Sequence, residues 1–528
     1  MPEHLRALVF ILPIAWVVFV FAKKALTAGD GAITTPEDFT RRRNLWFALT
    51  LSAFLAHNFW LFAAVATVAI LYSARHEPNA CALHFAVLVC LPRLTASISG
   101  GGIVKELFAI DPLRLLALFI LVPAWWQLRK RPDVEPFGKL LADKIMIAMF
   151  ALEIVLTLPE RTVPSVMRDS VFYAFTNVFL LYYVSSRSLR SMPAFREAMG
   201  ALVMGLWVFC ALVAFEFLRR WLLYASLERA LGVSMGERGY LLRSGMLRAE
   251  GTAGQSIIAG FTASVGIGIY LYVRTLIQNP WLRRLGMALM FAGIIGAFAR
   301  GPWVGGAAIL VVFILLGPTP VATFGKLFGV LLLSLPFLLG TQAGLNIIDH
   351  LPWIGTVDAR NVDFRENLFD VAIKVIMQYP FFGNFDFALI PEIEALRGSD
   401  GIIDVVNTYI MIALKGGIVS LVLFVGLVLV AMWGVFTTLL KLDKRDERHV
   451  LGRALLATMV GVLVTIATVS PIFFVYPIYW CLAGLMVGFT QLVARGEPAS
   501  ATDRSRQALT PPRPRVPSTR QQVPGRML

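Results

Sequence analysis

From Leu5 to about Val493 the chain is a succession of apolar runs, most of 15 to 20 residues, separated by short charged links. Runs of that length match the roughly 20 residues an α-helix needs to cross the hydrocarbon of a bilayer. A membrane β-barrel would instead show short segments of alternating polarity, and the sequence has none of that kind. The runs start near residues 5, 44, 59, 77, 111, 140, 170, 201, 255, 284, 303, 324, 405, 454 and 474, those at 44 and 59 forming one broken hairpin around His57 and Asn58. The pattern predicts an all-α, polytopic membrane domain over residues 1–493 with about 12–15 transmembrane helices. Leu5 to Ala22 ends in Lys23 and Lys24 without a small-residue cleavage site, so it reads as a retained helix.

The alternation breaks on a large scale once, between Gln342 and Asp404. Within that loop, Asp363-Phe364-Arg365-Glu366-Asn367 precedes Leu368, Ala372, Val375 and Ile376 at spacings of three and four, predicting an amphipathic helix. Pro380 and Gly383, in Tyr379-Pro380-Phe381-Phe382-Gly383, stop it. Asp404-Val405-Val406-Asn407-Thr408-Tyr409 then leads into the next span, which continues through Leu414-Lys415-Gly416-Gly417.

Composition agrees with a membrane protein: of 528 residues 57% are hydrophobic and 15% charged, and the mean hydropathy is +0.72. The net charge of +15 would suit a nucleic-acid binder, but its distribution excludes that class. The positive residues gather on alternate links: Lys23, Lys24 and Arg41 to Arg43; Arg129 to Arg131 and Lys139; Arg187, Arg190 and Arg196; Arg274, Arg283 and Arg284; Lys441 to Arg453. That is the positive-inside pattern, and it assigns those links to the cytoplasm. Residues 494–528, rich in Arg, Pro, Ser and Thr, read as a disordered cytoplasmic tail. By parity the 342–404 loop faces outward; its ten carboxylates against Arg360, Arg365, Lys374 and Arg397 fit that side. The outward link between Leu218 and Gly254 breaks the charge rule, since Arg219, Arg220, Arg229, Arg238, Arg243 and Arg248 outnumber Glu228, Glu237 and Glu250. Surplus cations there suit an anionic ligand, or, for Arg219, Arg220 and Arg229, an interfacial helix.

The chemistry is defined partly by what is missing. Cys81, Cys90, Cys210 and Cys481 fall in apolar runs, the six histidines are scattered, and no metal-ligand spacing is present. No Walker-type or dinucleotide-binding glycine motif occurs, so neither a metal nor a nucleotide cofactor is expected. What remains is the arginines. A guanidinium binds two phosphate oxygens at once and keeps its charge, so Arg248 and Arg365 read as a clamp on a phosphate-bearing ligand. Their alternative roles are pairing of Arg248 with Glu250 or a lipid headgroup, and an ion pair of Arg365 with Asp363 or Glu366. Arg300, beside Gly301 and Pro302, either joins the clamp or satisfies carbonyls at a helix end. Asp404, Glu366, Glu250 and His350 are the candidate bases, and Asn407 either binds sugar or caps its helix.

From about Gly200 to Leu440 the chain resembles the bacterial O-antigen ligase and polysaccharide polymerase superfamily. The resemblance is carried by Arg248-Ala249-Glu250-Gly251-Thr252, Ala299-Arg300-Gly301-Pro302-Trp303, the Arg365 segment with its Pro-x-x-Gly stop, and Val406-Asn407-Thr408-Tyr409, in family order. It implies transfer of a glycan from an undecaprenyl-diphosphate-linked oligosaccharide donor to a glycan or lipid acceptor, at the periplasmic face of the bacterial inner membrane. Arg248, Arg365 and Asp404 would be catalytic; Arg300, Glu250, Glu366, Asn407 and Thr408 would bind substrate. Family ligases carry a His beside the Asn, and Val406-Asn407-Thr408 has none. The expectation therefore leans to polymerisation of exopolysaccharide or O-antigen repeats within a polysaccharide assembly system, with ligation to lipid A-core as its sister. A transporter or flippase is the alternative class, with Glu153 and Glu216 as its candidate intramembrane acids.

Overall fold

The structure is a computed structural model describing residues 1–29, 31–101, 106–233, 240–243, 245–341, 359–397, 403, 405–470 and 474–496. Asp404, His350 and most of the 494–528 tail lie outside the described residues. The chain is an all-α, polytopic membrane protein; its described strands form only two short antiparallel hairpins.

The elements in chain order are α1 (Glu3–Leu26), α2 (Pro36–Leu55), α3 (Phe59–Arg75), α4 (Ala80–Val87), β1 (Ala96–Ser99), β2 (Glu106–Ile110), α5 (Pro112–Leu128), α6 (Leu141–Thr157), α7 (163–187) and α8 (Met192–Arg219). There follow β3 (Leu242–Arg243), β4 (Met246–Leu247), α9 (Ser256–Leu276), α10 (Pro280–Ala297), α11 (Arg300–Leu315), α12 (Pro320–Gly340), α13 (Ala359–Gln378), α14 (Thr408–Leu439), α15 (Glu447–Ile466) and α16 (Val475–Ala494). Six of them, α1, α8, α9, α14, α15 and α16, are long and apolar enough to cross a membrane. The apolar stretches of α3, α5, α11 and α12 are shorter. The break at His57 and Asn58 is a helix start: the Asn58 side chain accepts from Leu61 N at 2.8 Å and caps α3.

Burial ranks the spans. The apolar window of α9 is 94% buried and that of α14 only 28%, so α9 sits at the centre and α14 on the lipid-facing edge. Small residues let the central helices meet closely, as they must where lipid offers no hydrophobic drive to pack. Gly293 of α10 lies against Cys210 of α8, Gly268 of α9 against Thr458 of α15, and Gly305 of α11 against Thr465 of α15.

The two ends of the bundle are chemically distinct. At one end Arg42, 1% exposed, donates to Glu77 at 2.6 Å and Glu197 at 2.7 Å, while Asn79 donates to Glu197 at 3.0 Å. This pins α2 and α4 to the start of α8, and the acids Asp38, Glu77 and Glu197 that gather there are shared among Arg41, Arg42 and Asn79. The opposite end holds the start of α1 and the end of α8, joined by Trp221 Nε1 donating to Glu3 at 3.2 Å. The helix starts of α9, α11 and α14 lie at this second end as well.

The loop helix α13 buries the face its spacing predicts: Leu368, Ala372, Val375 and Ile376 are 3%, 0%, 1% and 9% exposed. They pack with Ala413 and Leu414 of α14. The anchor is a backbone exchange at Gly417, where α14 breaks with φ 71° and ψ −174°. Ile418 N and Val419 N, freed from their helical acceptors, donate to Pro380 O at 2.9 Å and Phe381 O at 3.2 Å, and Asn384 N donates to Leu414 O at 2.8 Å. The turn and the helix break approach so closely that a Cβ on Gly383 (φ 63°) would overlap the backbone of Leu414, Gly416 and Gly417, and one on Gly417 the backbone of Phe381 and Phe382. Gly417→Ala is expected to undock the 379–384 turn and expose it to protease while the other spans stay folded; an unchanged digestion pattern would contradict this docking.

Candidate functional site

The site end is organised around a buried carboxylate. Glu216, 0% exposed near the end of α8, accepts three backbone N–H groups: Leu223 at 2.9 Å, Glu250 at 3.0 Å and Gly251 at 2.7 Å. It therefore staples the turn after α8 and the turn before α9 to one point. Around that staple each residue of the 248–252 segment has a physical task. Arg248 N closes the β3–β4 hairpin onto Leu241 O at 3.0 Å, and Ala249 N donates to Gly296 O of α10 at 3.1 Å. Gly251 adopts φ 53° with Val213 and Phe209 where a Cβ would fall, so only glycine fits. The Thr252 hydroxyl donates to Val89 O at 2.8 Å.

Fixed in this way, the Arg248 side chain sits half-buried beside Arg243 and Glu250. Burial pushes its guanidinium down to about 10; repulsion from Arg243 adds to this and attraction to Glu250 opposes it. It stays cationic at neutral pH. Its Nε has no hydrogen-bond partner among the described residues. Arg243 from the same hairpin is held below its usual range first by burial, then by repulsion from Arg300 and Arg365. Three separate segments thus place guanidiniums in one neighbourhood: the hairpin with Arg243 and Arg248, the first turn of α11 with Arg300, and α13 with Arg365. Arg243 is the common member, linking the other three.

The α10–α11 junction that carries Arg300 is itself unusual. Phe298 adopts φ 48°, a left-handed conformation costing a non-glycine residue about 1–2 kcal/mol. Its ring packs against Phe217 and Trp303, with centroids 6.0 and 5.9 Å away, and its carbonyl receives a long 3.5 Å contact from Arg243 Nη1. The resulting corner turns α11 so that its N-terminus, the positive end of the helix dipole, begins at Arg300.

The other sequence-derived candidates fall into three groups. Glu250 is buried, 3% exposed, and its charge is felt by Arg248. Arg365 and Glu366 are exposed on α13. Asn407 and Thr408 have structural partners: the Asn407 amide oxygen caps α14, accepting from Tyr409 N at 2.9 Å and Ile410 N at 3.2 Å. The Thr408 hydroxyl, 0% exposed, donates to Val469 O at 2.7 Å. That contact ties α14 to the same end of α15 where Thr468 abuts Gly301. Sequence reasoning missed the part that two residues play here. Arg243 was visible only as one of six surplus cations, and Glu216 resembled a transport acid because no local pattern signals which distant amides a carboxylate will meet.

A cavity of 340 Å³ at this end lies between α6, α7, α14 and α16. Glu153, Asp169, Asn177 and Lys415 line it with Tyr476 and Trp480, directly beside the break at Gly417. Phe385 roofs it under the Lys415 ammonium, which lies 4.3 Å from the ring centroid.

No family model matches the chain, and no curated protein shows significant similarity to it. Any functional reading therefore rests on the residues and their arrangement.

Removing the staple tests that arrangement. Glu216→Ala leaves three buried N–H groups without an acceptor, at about 1–3 kcal/mol each, and is expected to lower the thermal unfolding midpoint sharply. Glu216→Gln, which keeps one acceptor oxygen, falls between Ala and the native residue. Equal midpoints for all three proteins would remove Glu216 from this role.

Proposed function

We propose that this protein transfers a glycan from a polyprenyl-diphosphate-linked donor to an acceptor hydroxyl, at the bundle end that carries the arginines. The feature that supports it is the gathering of Arg243 and Arg248 on one hairpin, with Arg300 and Arg365 within electrostatic reach of Arg243. Cations drawn from three segments into one neighbourhood suit a polyanion, whose oxygens can accept from several guanidiniums at once. A diphosphate is such an anion. In the reaction the bond from the sugar's anomeric carbon to the phosphate oxygen breaks and the diphosphate leaves with the electron pair. The acceptor oxygen forms the new bond, and its proton passes to a base; Glu250, Glu366, Asp404 and His350 are the candidates. The arginines stabilise the charge that grows on the departing diphosphate.

The same reading places this end on the periplasmic side of a bacterial inner membrane, since the links at the opposite end carry most of the basic residues. Polymerisation of repeat units is favoured over ligation to lipid A-core because no His neighbours Asn407. A transport function is the second reading, favoured by the cavity that holds Glu153 and Lys415 beside the broken helix α14.

Deleting the gene and examining the surface glycan separates these readings. Single unpolymerised repeats are the result expected; intact polymer left on its lipid carrier would favour ligation, and unchanged glycan with altered solute uptake would favour transport. Arg248→Lys and Arg365→Lys keep the charge and lose the two-pronged donor. Each is expected to reduce product formation by about 100-fold or more while the protein still inserts. Full activity in either variant would remove that residue from the site.

A further inference from the structure

The opposite end of the bundle holds a second group of arginines that the transfer reading does not use. Arg274 at the end of α9 and Arg283 and Arg284 at the start of α10 line a groove of 450 Å³, together with Pro280, Met287 and Ala288. The groove is held open by tight packing behind it. Gly286 lies against Tyr270 and Trp207; Trp207 Nε1 donates to Gly286 O at 3.0 Å, and the Tyr270 hydroxyl donates to Arg283 O at 2.8 Å. The three guanidinium-bearing side chains are exposed, and none forms an ion pair among the described residues. On the adjacent α15, Asp446 is taken by Arg448 and Glu447 by Arg196. Arg453 of α15, 9% exposed with its Nε unpartnered, lies within electrostatic reach of Arg274 and adds a fourth cation.

The surroundings indicate the depth at which this groove sits. Trp281, 73% exposed, follows the groove residue Pro280 with Arg284 5.4 Å from its ring centroid, and Leu285, next to Arg284, is 49% exposed. An exposed Trp next to arginines at a helix end marks a membrane–water interface. Beyond the arginines the lining turns apolar at Met287 and Ala288. A ligand that fits is anionic at its head and hydrocarbon behind it.

We propose that this groove binds the headgroup of an anionic phospholipid, its phosphate held by Arg274, Arg283 and Arg284 and its acyl chains lying along α10 past Leu285. Binding relieves the repulsion among the cations and anchors the α9–α10 corner to the leaflet. The site is remote from the arginine group at the other end and is independent of the reaction assigned there.

The test is thermal unfolding of the purified full-length chain in neutral detergent, with added phosphatidylglycerol, phosphatidylcholine or inorganic phosphate. Phosphatidylglycerol is expected to raise the midpoint by several degrees and phosphatidylcholine not to; in R274Q/R283Q/R284Q the rise should disappear while the lipid-free midpoint stays near the native one. Should the triple variant misfold, Arg284→Gln alone, at an exposed position, is expected to diminish the rise. An equal rise with phosphatidylcholine, a rise retained in the variants, or the same rise with inorganic phosphate would each overturn the lipid site.

Discussion

One buried carboxylate governs the architecture of the site end. Glu216 sits at the end of the second most buried membrane span and accepts amides from Leu223, Glu250 and Gly251, 7, 34 and 35 residues further along the chain. A buried carboxyl group is costly unless it is hydrogen-bonded, and each of these three N–H donors offsets part of that cost. The same bonds leave the 248–252 segment little freedom. With Ala249 fixed to Gly296 and Gly251 wedged against Val213 and Phe209, the direction of Arg248 follows.

That rigidity supports an electrostatic arrangement the fold would otherwise avoid. Like charges in a partly desolvated space repel more strongly than in water, and here Arg243 faces Arg300 and Arg365 as well as Arg248. The repulsion is opposed by the staple behind the hairpin, by the Phe298 corner at the start of α11, and by the Gly383–Gly417 exchange that docks α13. Each of the three supports belongs to a different segment. Loss of any one should relax the cluster even where no arginine has been changed, and on the proposed reading it would also weaken binding of the diphosphate.

How much of this was legible in the sequence follows from how far apart the interacting residues lie. Local periodicity identified the apolar spans and the buried face of α13, because spacing alone decides which side of a helix is apolar. The glycines at 383 and 417 were visible as a helix stop and a Gly pair, yet their mutual contact was not, since it depends on two helices meeting. Arg248, Arg300 and Arg365 stood out as cations on outward links; their common neighbour Arg243 did not, because within its own link it resembles the other arginines. Glu216, alone in an apolar run, reads as a candidate intramembrane acid, and only the return of the chain at Glu250 reveals its amide partners. Asn407 carried both a capping and a sugar-binding reading, and its amide oxygen caps α14.

The account depends on guanidiniums from distant segments acting together on one phosphate-bearing ligand. The most direct test is equilibrium binding of undecaprenyl diphosphate to the purified full-length chain, measured for the native protein, for Arg243→Gln and Arg365→Gln singly, and for the pair. Convergence on one ligand predicts tight, salt-sensitive binding weakened by each change, with the paired loss differing from the sum of the single losses. Affinity that is unaffected by either change, or single losses that simply add, would contradict it.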